Sequence, residues 1–348
     1  MIDIDGRAFL ISRRWSHHAR HSGYDLLGNY VGKPITTTSP IPTYILPDRY
    51  FHRMTRNIKG YDRTDAALEL LAMRHMASHK GNLYHFLYGD TGYNYLGRLN
   101  GWRGHQIIAS YHHPSQKFWE RVKNKEIIEK LSAVVIVGRN QHPIFDDILP
   151  RNRVFFVPLH VDTTYFTPPS DYSQRDESLC LFVGAHLRDF DTLRQVIENA
   201  WILAPQLKFA LVIHPQDMNK VKGIVGNYKI YSKIPENELL RLYQQAALFI
   251  QPLHDTTANT AVLEAISCGL PVVVTDVGAI RDYVDESCAS FVPIYDPEAM
   301  LETILGLVNS PNQLKDMVAA VRKRSMNFDC QVIAQRLREV YTQILDCS

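Results

Sequence analysis

The sequence predicts an α/β protein built from two doubly wound, Rossmann-like domains with parallel sheets. Three observations predict it. The chain has 348 residues, more than one core of ordinary size organises. Short runs of Val, Ile and Leu recur without alternating polar residues, as strands covered on both faces require. Stretches with apolar residues at helical spacing lie between them.

In the first half, "RAFLISRR" (7–14), "NLYHFLYG" (82–89), "HQIIASYHHP" (105–114), "AVVIVG" (133–138) and "RVFFVPLHV" (153–161) read as strands. "YDLLGNYV" (24–31) and "FWERVKNKEIIEKLS" (118–132) read as helices, the first entered through the Ser22-Gly23 turn. Residues 32–65, rich in Pro, Thr and Arg, show no period and are expected to form a loop insertion or irregular segment.

The second half is more regular. Strands are expected at 178–185, 208–214, 227–234, 248–253 and 271–276, and helices at 190–204, 236–247, 260–268 and 280–285. "TPPSDYSQRDES" (167–178) has the composition of a linker. The expected organisation is an N-terminal domain over 1–165, a second domain over 166–326, and a last helix within 327–348 that packs back on the first domain.

Hydrophobic residues make up 45% and charged residues 21%, the balance of a globular protein. No apolar run approaches the roughly 20 residues that span a bilayer. The opening residues lack the basic, apolar, small order of a signal peptide, so a cytoplasmic location is expected. Five cysteines with no CxxC spacing imply free thiols. The first 160 residues hold about 22 Lys/Arg against 13 Asp/Glu, and the remainder about 16 against 23. A basic half suits an anionic membrane or a phosphorylated substrate, and equally a solvated face. No nucleic-acid-binding motif accompanies it, so no nucleic acid partner is expected.

Neither GxGxxG nor GxxxxGK[ST] occurs, which leaves "NTAVLEAISCGLPVVVTDVG" (259–278) as the best phosphate-binding candidate. Asn259 or Thr257 caps its helix, Gly269 stops it and Pro271 prevents continuation. The first-turn amides and the positive end of the helix dipole then lie at the carboxyl end of a strand, where open α/β sheets place ligands. Glu264, about one turn in, suits two vicinal hydroxyls of a ribose, or else a place on an amphipathic surface.

"TANTAVLEAISCGLPVVVTDVGAIRDYV" resembles the nucleotide-sugar-binding segment of retaining glycosyltransferases of the GT-B fold, glycosyltransferase family 4. "VVIVGRNQ", "VFFVPLHVDTTYFTP", "LFVGAHLRDFDTL" and "IPENELLRLYQQAALFIQPL" fall in the family's order. The resemblance covers roughly 130–290 well and the N-terminal half loosely. It implies two Rossmann-like domains facing a cleft, and transfer of a sugar from a nucleoside-diphosphate sugar to an acceptor hydroxyl with retention. The acceptor is a sugar, a lipid-linked molecule or a small molecule; no metal or other cofactor is required. Peripheral contact of the basic N-terminal domain with the inner membrane face is a further expectation. A nucleotide-sugar-binding protein without transferase activity, and a GT-B epimerase, remain open alternatives.

The resemblance also assigns residues. Glu264 matches the second of two family glutamates and takes the donor ribose. Thr256 stands where the first is expected; for the transferred sugar the resemblance leaves either Asp255 beside it or the hydroxyls of Thr256 and Thr257. Ala185 and Phe190 stand where the family has its Arg and Lys, so Arg188, with His186 beside it, is the nearest cation for the leaving diphosphate. Amides of Thr260, Ala261 and Val262 after Asn259 complete the phosphate site. Gly184, Lys233 and Ile234 are placed in the same donor-binding set. In the first half, Gly23 marks the glycine-containing loop, and His112 and His113 occupy a strand end where the family often lines its cleft with His. His17, His18 and His21 cluster, and His75 and His79 are spaced i, i+4, but neither group has a metal-site pattern.

Overall fold

A computed structural model describes residues 4–13, 20–35, 61–122 and 125–347. The chain divides into two compact units. Gly23–Pro158 with Met1–His18 and Cys330–Ser348 form the first, and Leu159–Asp329 with Ala19–Ser22 form the second.

In the first unit, α1 (Ile4–Arg7) leads into β1 (Ala8–Ile11), and β2 (Lys33–Ile35), α2 (Arg63–Ser78), β3 (Leu83–Phe86) and β4 (Gln106–Tyr111) follow. Then come α3 (Ser115–Arg121), α4 (Lys125–Lys130), β5 (Ala133–Ile136), α5 (His142–Phe145) and β6 (Val154–Phe156). The sheet order is β2-β1-β3-β4-β5-β6, with every pair parallel. The interior strand residues are almost wholly buried, which is why their sequences run apolar rather than alternating.

The second unit carries β7 (Asp176–Val183), α6 (Phe190–Leu203), β8 (Lys208–Val212), β9 (Tyr228–Tyr231), α7 (Glu236–Gln245) and β10 (Ala246–Gln251). It continues through α8 (Thr260–Ser267), β11 (Val272–Thr275), α9 (Ile280–Tyr283), β12 (Ala289–Val292), α10 (Pro297–Val308) and α11 (Pro311–Ser325). Its parallel sheet is ordered β12-β11-β10-β7-β8-β9. The chain builds outward from β7 to β9 and then returns to place β10 beside β7. The β7/β10 pair is therefore the topological switch point, and the loops leaving its carboxyl ends define the crevice where such sheets take ligands.

The last helix, α12 (Cys330–Asp346), belongs to the first unit. Its Tyr341 hydroxyl meets His85 Nδ1 at 2.6 Å, and Arg338 donates to Tyr30 O at 2.6 Å. Burial pushes the His85 imidazole down to about 3, so it bridges Tyr341 and Ser110 Oγ as a neutral ring.

Several local expectations are corrected. Residues 24–29 form a 3-10 turn, not an α-helix. The helix expected over 118–132 is two, because Val122, buried and β-branched, takes extended dihedrals at the end of α3. The stretch 32–65 yields β2 at one end and the start of α2 at the other; 36–60 lie outside the described residues. Asp62 opens α2 through a reciprocal capping box with Asp65. Residues 167–178 lie within the second unit, where β7 already begins at Asp176. Pattern reading did not find β12, α10 or α11.

Candidate functional site

The chemistry-bearing residues of the second unit gather at its switch point. After β7 the chain turns at Gly184, whose φ of 97° suits glycine. A Cβ on Gly184 would lie 2.9 Å from Arg188 Nη2, so its absence lets the Arg188 guanidinium fold back over the turn. Arg188 Nη1 donates to His186 O at 2.9 Å, and Nη2 donates to Asn259 Oδ1 at 3.1 Å. Burial lowers the Arg188 pKa to about 10, which leaves it cationic at neutral pH.

Asn259 caps α8, accepting from Val262 N–H at 3.3 Å through the same oxygen that holds Arg188. One side chain therefore fixes a cation beside a helix N-terminus, where the dipole favours an anion. The cap uses the N–H of Val262, one of the three amides expected to face the ligand. The first-turn amides of Thr260 and Ala261 have no i−4 acceptor within the helix. Thr257 Oγ1 and Asn259 Nδ2 are buried and make no hydrogen bond.

Glu264 sits one turn along α8 and is 5% exposed, which removes the surface alternative. The Tyr243 hydroxyl donates to its Oε2 at 2.9 Å. Burial raises the carboxyl to about 8, the Tyr243 bond opposing that rise and the charge of Glu236 adding to it.

The loop from 254 to 258 is closed by local hydrogen bonds. Asp255 Oδ1 accepts the Thr256 N–H at 2.7 Å. Thr256 is buried, and its hydroxyl donates to Ala258 O at 3.3 Å. Ala279 N–H closes the loop on Thr256 O at 2.8 Å. Thr256 thus turns its hydroxyl into the loop backbone instead of presenting it at the surface. Gly278 makes the closure possible: its φ is 62°, and a Cβ there would fall on Thr256 O and lie 2.6 Å from Asp255 Oδ1. His186 is exposed, while Lys233 (exposed, φ 52°) and Ile234 follow β9 on the same unit.

In the first unit, Gly23 has a φ of 112° before the 24–29 turn. Burial keeps His112 below the usual imidazole range. Its ring Nε2 lies 2.8 Å from Leu87 O and its main-chain N–H donates to Asp90 Oδ2 at 2.8 Å. The Tyr24 ring meets the His112 ring edge-on at 4.9 Å. His113 is half-buried, and its carbonyl accepts from Gln141. The His75 and His79 rings stack at 3.9 Å, with His75 Nδ1 2.8 Å from Tyr84 Oη and His79 Nδ1 2.8 Å from His75 O. His17 and His18 lie outside the described residues.

Sequence reasoning missed Tyr243 and Gly278. Tyr243 lies 21 residues from Glu264, and no local pattern links the two. Gly278 carried a signal, a glycine just after a predicted strand.

The two-sheet fold is that of GT-B glycosyltransferases. The chain superposes on sucrose-phosphate synthase from Thermosynechococcus elongatus with a TM-score of 0.71, at 18% identity, over 98% of this chain and 99% of that one. It superposes on Anabaena HepE, solved in complex with UDP, with a TM-score of 0.65, at 14% identity, over 80% and 82%. In sequence it is 26% identical over 216 residues to a D-inositol 3-phosphate glycosyltransferase of Corynebacterium diphtheriae, covering 60% of this chain and 50% of that protein. The chain spans half or less of the length of the first curated relatives it matches. Residues 177–310 match the family of glycosyl transferases group 1. The second unit carries a domain of that family. Among the described residues, no helix is long and apolar enough to cross a membrane.

Proposed function

We propose that the protein is a retaining glycosyltransferase that moves a sugar from a nucleoside-diphosphate sugar to an acceptor hydroxyl. The observation that carries this reading is the Arg188–Asn259 contact at the start of α8, with Glu264 one turn further along. A diphosphate set against the Thr260 and Ala261 amides meets the helix dipole and the Arg188 charge together. The two buried polar atoms without partners, Thr257 Oγ1 and Asn259 Nδ2, fit a site completed by ligand oxygens. Glu264 accepts from ribose hydroxyls.

In the reaction, the bond from the anomeric carbon to the diphosphate oxygen breaks as the acceptor oxygen bonds to that carbon. The acceptor proton passes to the departing diphosphate, whose growing charge Arg188 and the helix amides stabilise. His112 and His113 are proposed on the acceptor side. The countercharge comes from the chain itself, so activity that survives EDTA supports this reading and activity that requires a divalent ion contradicts it. The name of the Corynebacterium relative supports a phosphorylated polyol among candidate acceptors, and the basic first 160 residues support such an anion or an anionic membrane face.

The buried Thr256 favours a second reading, a nucleotide-sugar-binding protein without transfer. Calorimetry with a donor panel, paired with product analysis, separates the two. Donor binding with sugar transfer establishes the first reading; binding with no product from any acceptor establishes the second.

A further inference from the structure

His21 is bound into the second unit by three contacts. Its Nδ1 lies 2.7 Å from Asp162 Oδ2, its ring stacks on Tyr165 at 3.8 Å with planes 2° apart, and its main-chain N–H donates to Glu236 Oε1 at 2.9 Å. Asp162 is itself held from behind: Oδ1 accepts the Thr164 N–H and hydroxyl and the Tyr165 N–H at 3.1, 2.6 and 3.1 Å. A carboxylate so fixed accepts from the ring N–H at Nδ1, and in that tautomer Nε2 is the acceptor. The side chain is 28% exposed.

This arrangement is linked to Glu264 through α7. Glu236 and Tyr243 are seven residues apart on α7, which places them on one face. At one end of that face Glu236 holds His21; at the other Tyr243 holds Glu264. Phe166, next to Tyr165, packs edge-on against Tyr243 at 6.1 Å, and its carbonyl accepts from Ser267 of α8 at 2.6 Å.

We propose that His21 is a nucleoside-recognising residue whose Nε2 accepts a hydrogen bond from the ribose hydroxyl beside the one Glu264 holds. The assignment rests on the nucleotide-sugar reading above. Asp162 and Tyr165 are positioning residues: one sets the tautomer and the other the ring plane. An acceptor with a fixed lone pair selects a hydroxyl, and a deoxy sugar leaves it unmatched.

Calorimetry with uridine, guanosine and adenosine diphosphates first finds the base that binds. The 2′-deoxy and 3′-deoxy forms of that nucleotide are then titrated into the wild type, His21→Ala, His21→Gln, Asp162→Asn and Glu264→Gln. The wild type is expected to discriminate against both deoxy forms by about ten-fold or more. His21→Ala brings discrimination at one hydroxyl close to unity and keeps the other, whereas Glu264→Gln weakens the other. His21→Gln, which retains an acceptor, restores part of the lost discrimination, and Asp162→Asn lowers it. A folded His21→Ala or Asp162→Asn protein that discriminates at both positions like the wild type overturns the assignment alone. If no diphosphate binds the wild type, the nucleotide-sugar reading falls, and the assignment with it.

Discussion

The Tyr243 hydroxyl donates to Glu264 Oε2 at 2.9 Å, joining α7 to α8 through two buried side chains. Tyr243→Phe removes the donor and leaves a buried carboxyl oxygen unmatched. A loss of about 1–3 kcal/mol in urea unfolding is expected, together with weaker nucleoside diphosphate binding. Unchanged affinity would show that Glu264 needs no orienting partner.

The same pair sets a pH dependence. Burial holds the Glu264 carboxyl at about 8, whereas in the unfolded chain it ionises in the ordinary range, near about 4.3. Between those values the folded state keeps a proton that the unfolded state has lost. This contribution to stability therefore falls as pH rises through that window and levels off above about 8. Its slope is at most roughly 1.4 kcal/mol per pH unit. Glu264→Gln removes the slope. Unfolding of both proteins from pH 5 to 9 tests this, and parallel stability curves would contradict it.

Gly184→Ala places a Cβ 2.9 Å from Arg188 Nη2, on a backbone with φ 97°. The expected cost is about 1–3 kcal/mol of stability, with the guanidinium displaced from Asn259. Nucleoside diphosphate affinity should then fall more than that of the corresponding nucleoside, a difference calorimetry reads directly.

Gly278→Ala drives a Cβ into Thr256 O and within 2.7 Å of Thr256 N. The loop over 255–258 cannot keep its closure, and a loss of roughly 2–4 kcal/mol is expected. Thermal unfolding near that of the wild type would show that the loop yields at little cost.

Arg188→Ala should lower turnover more than donor affinity, because the charge it meets grows as the diphosphate departs. Equal losses in both would mean that the contact serves binding uniformly.

The sequence by itself determined much of the second unit. Its strands are buried on both faces and so read as continuous apolar runs. Its helix ends carry local chemistry, such as Asn259 at the cap of α8 and Gly269, with φ 67°, at the stop. These signals span a few residues and survive without tertiary context. The first unit was less legible: β2 is only three residues long, with two of them exposed, and α2 begins at an Asp62–Asp65 cap inside a stretch rich in Pro and Arg. The tertiary structure alone decided the partners. It set Tyr243 on Glu264, Arg188 on Asn259 and His21 on Asp162, pairs separated by 21, 71 and 141 residues. It also turned Thr256 inward. The Arg188–Asn259 contact follows from β7 lying beside β10 at the switch point, and sheet order is a long-range property that no local period encodes.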